Sequence, residues 1–267
     1  MRELSKNPFL SSDQLSEMID TDLNKSITGS AIRKILIKNG FKSYISKRNP
    51  LLTKAMSKKR LSWCHKYKNK DNKFWQNVAF SDETMISILD TSLMQRCRRF
   101  PWSSPYENKF IRPTVKYPLS VMIWGCFSKN YRPSLHVVNG IMNSAKYEEV
   151  LNSKIKGKFN QDKTLIFQDD SASCHRSARI NQYKNNNGIL SLDWPENSQN
   201  LNPIENLWQI LKRKVGRFNI KNKADLIKKI NKIWEEHISD DLITNLIDSM
   251  PKRIDKCIKN KGYATKY

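Results

Sequence analysis

The sequence predicts an α/β fold in which helices flank a mixed β-sheet and a small helical unit precedes it. From Phe74 onward, apolar and β-branched runs first follow one another and then alternate with helical patterns. This order is typical of a mixed sheet covered by helices. Ahead of Phe74, two short helical patterns lead into a strongly basic stretch. The length of 267 residues accommodates one large domain or two modest ones.

The two helical patterns near the N-terminus suit a helix-turn-helix. Ser11 or Ser12 can cap the first helix, and Ser30 can cap the second, which ends at Asn39-Gly40. Two short helices with a tight connection are typical of a helix-turn-helix. A helical hairpin without a role in DNA binding fits the same residues equally well. We assign residues 1–45 to this unit.

The strands and helices of the larger unit are predicted in chain order. Strands are expected on both sides of Ser81-Asp82-Glu83 in "VAFSDETMISIL", and then at 119–128, 134–140, 164–168 and 188–194. Helices are expected at 143–155, 177–185 and 201–215. We therefore assign residues 76–267 to one α/β domain and residues 46–75 to a basic linker.

The charge of the chain indicates a polyanionic partner. There are 48 Lys and Arg residues against 25 Asp and Glu residues, a net charge of +23, which favours nucleic acid. Residues 41–75 alone hold eleven basic residues and one acidic residue. No apolar run approaches the length of a membrane-spanning helix, and the opening "MRELSKNPF" lacks the apolar core of a signal peptide. We expect no membrane partner.

The cysteines indicate an intracellular protein. There are five of them, an odd number, scattered along the chain without a paired metal-binding spacing, so we expect reduced thiols. The basic run "SKKRL" at 57–61 could serve in nuclear import. These residues leave the nucleus and the cytoplasm both open, and of the two we predict the nucleus.

Acidic residues are predicted at the ends of separate elements. Asp82 ends the first strand, Asp169 and Asp170 follow the apolar run "TLIFQ", and Glu205 lies in the first turn of a helix behind Pro203. Converging carboxylates form an oxygen-rich site that suits Mg²⁺ or Mn²⁺. Two such ions, roughly 3.5–4 Å apart, can activate an attacking oxygen and stabilise a leaving oxygen. The pattern is that of a nuclease or phosphoryl transferase.

Each carboxylate also has a structural interpretation. Glu205 fits a capping box that begins at Asn202. Asp82-Glu83 fits a hairpin turn, and Asp169-Asp170 fits a helix cap. Composition and spacing leave both interpretations open.

Five motifs in order resemble a transposase of the Tc1/mariner superfamily: "FSDE", "SVMIWGCFS", "FQDDSASCH", "SQNLNPIENLWQILKRKV" and "DSMPKRIDKCIKNKGYATKY". The resemblance covers nearly the whole chain, from about Arg2 to Tyr267. It implies a catalytic domain of ribonuclease H-like fold whose Asp, Asp, Glu triad binds two Mg²⁺ ions, with Mn²⁺ as a substitute. It also implies two helix-turn-helix units ahead of that domain. There is room here for only part of one, so we expect an N-terminally truncated chain with a partial helix-turn-helix.

The resemblance assigns roles to individual residues. The first Asp matches Asp82 and the Glu matches Glu205. Thirty-four residues usually separate the second Asp from the Glu, and residues 171–204 number thirty-four, so the second Asp is Asp170. Asp169 is then expected behind the ligands or facing solvent. His175 matches a histidine that is usual in the family and is expected to position DNA or the carboxylates, with a purely structural role as the alternative.

The resemblance implies a reaction and its partners. Metal-activated water would cut phosphodiesters at the terminal inverted repeats, and the freed 3′-OH would attack a TA target, with a homodimer on double-stranded DNA. One alternative is a catalytically silent, transposon-derived DNA-binding protein. Another is a basic nucleic-acid-binding protein whose carboxylates only cap helices.

Basic side chains in four regions are expected to contact DNA. These regions are the second N-terminal helix, the linker, the segment 94–116 and the helix 201–215. The segment 94–116 occupies the place of the family's clamp loop. For the helix 201–215, a solvated basic face is the alternative. The residues are Arg33, Lys34, Lys47, Arg48, Lys58, Lys59, Arg60, Arg98, Arg99, Lys212 and Arg213.

Overall fold

The computed structural model describes residues 2–23, 26–44, 51–87, 100, 102–104, 118–131, 134–218 and 220–265. The chain divides into two compact units, residues 1–49 and 50–267. None of the helices in the described ranges is long and apolar enough to cross a bilayer.

In its described residues, the N-terminal unit contains three helices, α1 (Arg2–Lys6), α2 (Ser12–Leu23) and α3 (Gly29–Lys38). Leu4, Leu15 and Ile32 form its buried core. A core of three large apolar side chains is small, because short helices of this kind bury only one narrow stripe each. The predicted pair of helices is confirmed, with a further short helix ahead of it.

The caps of α2 and α3 are local sequence effects. Ser11 and Gln14 form a reciprocal capping box: the Gln14 N–H donates to Ser11 Oγ, and the Ser11 N–H donates to Gln14 Oε1. Helix α3 is capped by Thr28, whose Oγ1 accepts from the Ala31 N–H. The prediction that Ser30 caps this helix is wrong, because the chain is already helical from Gly29.

The second unit holds four strands and nine helices in its described residues. The strands are β1 (Val78–Ser87), β2 (Ser120–Phe127), β3 (Ser134–Val138) and β4 (Ile166–Gln168). The helices are α4 (Lys54–Tyr67), α5 (Asn72–Gln76), α6 (Ser144–Val150), α7 (Lys156–Gln161), α8 (Ala178–Asn186), α9 (Ile204–Val215), α10 (Lys223–His237), α11 (Asp240–Ile247) and α12 (Met250–Lys259). A π-helical turn, Leu151–Ile155, joins α6 to α7.

The four strands form one mixed sheet in the order β3-β2-β1-β4. Strand β1 pairs antiparallel with β2 and parallel with β4. Alternate residues point to opposite faces, so each face has its own core. Phe80 and Ile123 pack with α4, α5 and α9–α12 on one face, whereas Trp124 and Phe167 pack with α6–α8 on the other. The predicted mixed sheet with flanking helices is confirmed.

Three local predictions need correction. The run 188–194 contributes only an isolated parallel bridge, between Ser191 and Phe167. Asp82 lies in the middle of β1 rather than at its end, because this strand continues to Ser87 in its pairing with β2. The expected linker is shorter than predicted, because α4 and α5 belong to the second unit and bury Trp63 and Trp75 there.

A glycine in the sheet makes room for the helix that packs on it. A Cβ at Gly125 would lie 2.5 Å from Trp208 Cη2, and Gly125 is also the register partner of Asp82. We predict that Gly125→Ala lowers the free energy of unfolding by about 1–3 kcal/mol through overpacking. Urea denaturation measures this value.

The matched control is Gly157→Ala, because a Cβ at this position in α7 meets nothing within 4 Å. Alanine favours a helix interior, so the control should raise the free energy of unfolding by about 0.5–1 kcal/mol. Equal effects of the two substitutions would contradict the close approach of Trp208 to the sheet.

Candidate active site

Three carboxylates from three separate elements line one cleft of about 600 Å³. Glu205 lies in the first turn of α9. Asp82 and Asp170 come from the parallel neighbours β1 and β4. Phe80 lies opposite Gln168 in that pairing. Asp82 lies two residues after Phe80, and Asp170 lies two residues after Gln168, so the two aspartates are level with each other. The sheet register therefore brings Asp82 and Asp170 to the same cleft.

Asp82 and Glu205 interact directly in a buried environment. Burial, Glu205 and Glu83 together raise the pKa of Asp82 well above its usual range. Burial also raises the pKa of Glu205, against the opposing effect of Lys212. Trp208 holds Asp82 in place, because its Nε1–H donates to Asp82 Oδ2 at 3.1 Å. Burial therefore opposes the charged form of both side chains.

Asp170 is held in its charged form. Its side chain is 48% exposed, and its Oδ1 accepts from the Ala172 N–H at 2.9 Å and lies 2.6 Å from His175 Nδ1. Burial alone would raise the pKa of Asp170, but the hydrogen bonds from His175 and Ala172 outweigh it and lower the pKa. Asp170 is thus a fixed carboxylate that still faces the cleft.

His175 joins two carboxylates from different elements. It is almost fully buried, its Nδ1 contacts Asp170, and its Nε2 lies 3.2 Å from Glu83 Oε1. Burial opposes the charged form, but Asp170 and Glu83 outweigh it and raise the pKa of His175 to about 10. The Tyr147 ring lies 4.0 Å away, centroid to centroid, and fixes the imidazole from one side. His175 therefore orients Asp170 from within the protein.

Glu83 is the residue of this site that the sequence interpretation missed. It lines the cleft beside Asp82 and faces His175. The signal was present, because two adjacent carboxylates within a buried strand are costly unless each has a partner.

The structural interpretation of Glu205 as part of a capping box is wrong. Helix α9 begins behind Pro203, which has no side-chain cap. Asn202 accepts from the Ile204 N–H through Oδ1 and donates to the Ser81 carbonyl through Nδ2. Asn202 thus ties the start of α9 to β1, while the Glu205 side chain interacts with Asp82 instead of the cap. The interpretation of Asp82-Glu83 as a hairpin turn is likewise wrong, since both lie within β1.

Two protein families match the chain over most of its length. Residues 1–69 match a family described as "Transposase", and residues 77–227 match the "DDE superfamily endonuclease" family. The chain belongs to the Tc1/mariner-type transposases. The membership that the sequence motifs predicted is therefore confirmed.

Two nematode relatives illustrate the similarity of this transposase. The Tc1 transposase of Caenorhabditis elegans is 28% identical over 270 residues, which cover 100% of this chain and 98% of the relative. The Tcb1 transposase of Caenorhabditis briggsae is 30% identical over 258 residues, which cover 92% of this chain and 94% of the relative. The match to Tc1 therefore spans both units of the chain.

A solved structure shares the fold of the transposase. The crystal structure of the Mos1 mariner paired end complex with Mn has a TM-score of 0.79 and 15% sequence identity. The alignment covers 99% of this chain and 78% of that one. The expected ribonuclease H-like fold is confirmed, and a helix-turn-helix unit precedes it.

Asp169 has a structural role that is separate from the cleft. It is 2% exposed and points to the opposite side of the chain from Asp170. Its Oδ2 accepts from the Tyr147 hydroxyl at 2.8 Å and forms an ion pair with Lys184, which is also buried. The expectation that Asp169 could face solvent is wrong, because α6 and α8 cover it.

Arg60 is fully buried, so its predicted contact with DNA is wrong. Its guanidinium donates to acceptors in two regions. One is the segment 197–200, and the other is the C-terminal part of α12 together with the turn that follows this helix. The acceptors, at 2.7–3.8 Å, are the carbonyl oxygens of Gly262 and Asn197, Ser198 Oγ, Asn200 Oδ1 and Cys257 Sγ. Arg60 thus holds α4 against the segment that leads to Glu205.

The other predicted DNA contacts lie in different environments. Arg33 and Lys34 are exposed on α3, Lys58 and Lys59 are exposed on α4, and on α9 Arg213 is exposed and Lys212 half-buried. Lys47, Arg48, Arg98 and Arg99 lie outside the described residues. Apart from Arg60, these assignments stay predictions.

The donor chemistry of the cleft suits a hard divalent cation. Asp82, Asp170 and Glu205 offer carboxylate oxygens, the ligands that Mg²⁺ and Mn²⁺ prefer. Burial and neighbouring carboxylates raise the pKa of Asp82, and burial raises the pKa of Glu205, so a bound cation would favour the charged forms of both. Within the described ranges, no three Asp, Glu, His or Cys side chains already lie close enough together to hold a metal ion. The carboxylates fit the ion by the chemistry of their oxygen ligands.

The buried ion pair behind the cleft gives a stability prediction. Asp169→Asn leaves the Lys184 ammonium buried without a countercharge, so the free energy of unfolding should fall by about 3–5 kcal/mol. The control is Glu148→Gln, which removes the more exposed pair of Glu148 with Arg179 and should cost at most about 1 kcal/mol. Urea denaturation distinguishes them. A loss for Asp169→Asn no larger than the control would show that the buried pair is not needed.

Proposed function

We propose that this transposase cuts phosphodiesters at transposon terminal inverted repeats and transfers the 3′-OH ends into TA target DNA. Asp82, Asp170 and Glu205 are the proposed ligands of two Mg²⁺ ions, for which Mn²⁺ can substitute. The observation that carries the proposal is the meeting of three carboxylates, from β1, the end of β4 and α9, in one cleft. When bound, such ions activate the attacking oxygen and stabilise the charge on the leaving oxygen.

The protein contributes rigid placement of these groups. Trp208 fixes Asp82, and His175 fixes Asp170 in its charged form. Glu205 approaches Asp82 from the first turn of α9, where Asn202 anchors the helix to β1. These supports come from packed elements rather than loose loops, so they keep all three side chains at the cleft before DNA binds.

The N-terminal unit supplies the proposed recognition of DNA. Arg33 and Lys34 are exposed on α3, the second of the predicted pair of helices and the one that would contact the terminal repeats. The same partner accounts for the net charge of +23. A protein that acts on genomic DNA must reach it, so we propose a nuclear location. We also propose a homodimer that holds two transposon ends. A catalytically silent protein would not need to retain all three carboxylates in one cleft.

Substitution of the proposed ligands tests the function. Asp170→Asn and Glu205→Gln should each lower the rate of plasmid cleavage in Mg²⁺ at least about 100-fold. Substitution of a residue that only hydrogen-bonds to a metal ligand already reduces metal affinity or activity about 10–100-fold. Cleavage of supercoiled plasmid measures the rate, and gel shift without metal checks that DNA binding is retained.

The control for this test is Asp162→Asn, which changes a partly exposed carboxylate outside the cleft and should leave the rate unchanged. If Glu205→Gln cuts at the native rate, Glu205 is a structural residue and the proposed triad is wrong. If native protein binds DNA and does not cut it in either metal, the silent DNA-binding alternative replaces the proposal.

A further inference from the structure

A second groove, of about 730 Å³, lies beside the catalytic cleft. One wall is α4, which contributes Lys58, Lys59 and Lys66, and the other includes Arg176 and the segment 193–196. The four residues Ser171, Trp194, Pro195 and Glu196 line both this groove and the catalytic cleft. The two depressions are therefore continuous, and a chain that lies in one can extend into the other.

The basic side chains of the groove are arranged along one helical face. Lys58, Ser62 and Lys66 follow each other at intervals of four residues, so they lie side by side on α4. All three are exposed, and so is Arg176, which approaches from the segment behind Asp170. Helix α4 has no acidic residue. A row of donors on one helix face suits a string of phosphates.

The two acidic residues of the groove do not cancel this charge. Glu196 lies 3.6 Å from Lys59, and Asp193 lies 3.1 Å from Lys66, but both pairs are largely exposed. Exposed ion pairs contribute at most about 1 kcal/mol, so a phosphate can replace either carboxylate. Lys58 and Arg176 supply the remaining positive charge.

The floor of the groove is rigid. Trp63 and Trp194 are buried and pack edge to face, with ring centroids 4.9 Å apart. The Trp63 indole N–H donates to the Asp193 carbonyl, which fixes the opposite wall to α4. The groove is thus formed before any ligand enters, which limits the entropy lost on binding.

We infer that this groove binds the sugar–phosphate backbone of a single DNA strand that runs out of the catalytic cleft. Lys58, Lys66 and Arg176 contact its phosphates. This inference rests on the proposed function, because it takes the scissile phosphate to lie among Asp82, Asp170 and Glu205. It adds the path of the strand and two residues, Lys66 and Arg176, that the sequence did not single out.

Salt-dependent binding without metal tests the groove independently of cleavage. The full chain is titrated with a fluorescent poly-thymidine strand in EDTA, and anisotropy is recorded over a range of salt concentrations. Removing three phosphate contacts from a single strand should reduce the slope of log K against log salt by about 2, at roughly 0.7 per contact. The variant combines Lys58→Ala, Lys66→Ala and Arg176→Ala, all at exposed positions.

The matched control removes the same charge elsewhere. Lys223→Ala, Lys228→Ala and Lys232→Ala change three exposed lysines of α10 that line neither depression, so the slope should stay at the native value. Equal slopes for the two triple variants would overturn the inference. A slope that falls for duplex DNA but not for the single strand would overturn the assignment to one strand. If the native protein does not cut DNA but the groove variant still shows a reduced slope of log K against log salt, the proposed function is wrong, whereas DNA binding in the groove is supported.

Discussion

The architecture around the active site depends on the burial of one guanidinium, that of Arg60. A buried cation without a carboxylate partner is tolerated only when its donors are satisfied, and Arg60 has five acceptors. These acceptors lie far away in sequence, in the segment before α9 and around the end of α12. Removal of this side chain would leave buried carbonyls unpaired in both places.

A second buried arginine reinforces the same segment. Arg253 of α12 donates to the carbonyl of Asn200 and to Asn206 Oδ1. The turn after α12 must also pass close to α4, since a Cβ at Gly262 would lie 2.0 Å from the Ser57 carbonyl oxygen. The position of Glu205 is therefore set by contacts that α4 and α12 make on both sides of it.

Much of this arrangement could be predicted from the sequence because its causes are local. The order of apolar runs and helical patterns predicted the mixed sheet. The choice of Asp170 over Asp169 came instead from the spacing that the family resemblance implies. The roles of the acidic residues were predicted from the family resemblance. The residues around Glu205 fit a capping box as well as a metal ligand, so the local sequence does not distinguish the two.

The remaining features depend on contacts between distant residues. Arg60 belongs to a run of basic residues that resembles a solvated face, and only the folded chain shows its acceptors more than 130 positions away. The run at 188–194 has the composition of a strand, but Leu192 and Trp194 pack into the core and only Ser191 bridges to β4. Glu83 was missed because its partner, His175, lies on a different segment.

Anomalous diffraction from crystals grown in Mn²⁺ tests the central claim most directly, namely that Asp82, Asp170 and Glu205 form one metal site. The account predicts Mn²⁺ peaks in the cleft, within about 2.2 Å of carboxylate oxygens from all three residues. Peaks that avoid the cleft, or a site that lacks Asp170 and uses Asp169, would contradict it.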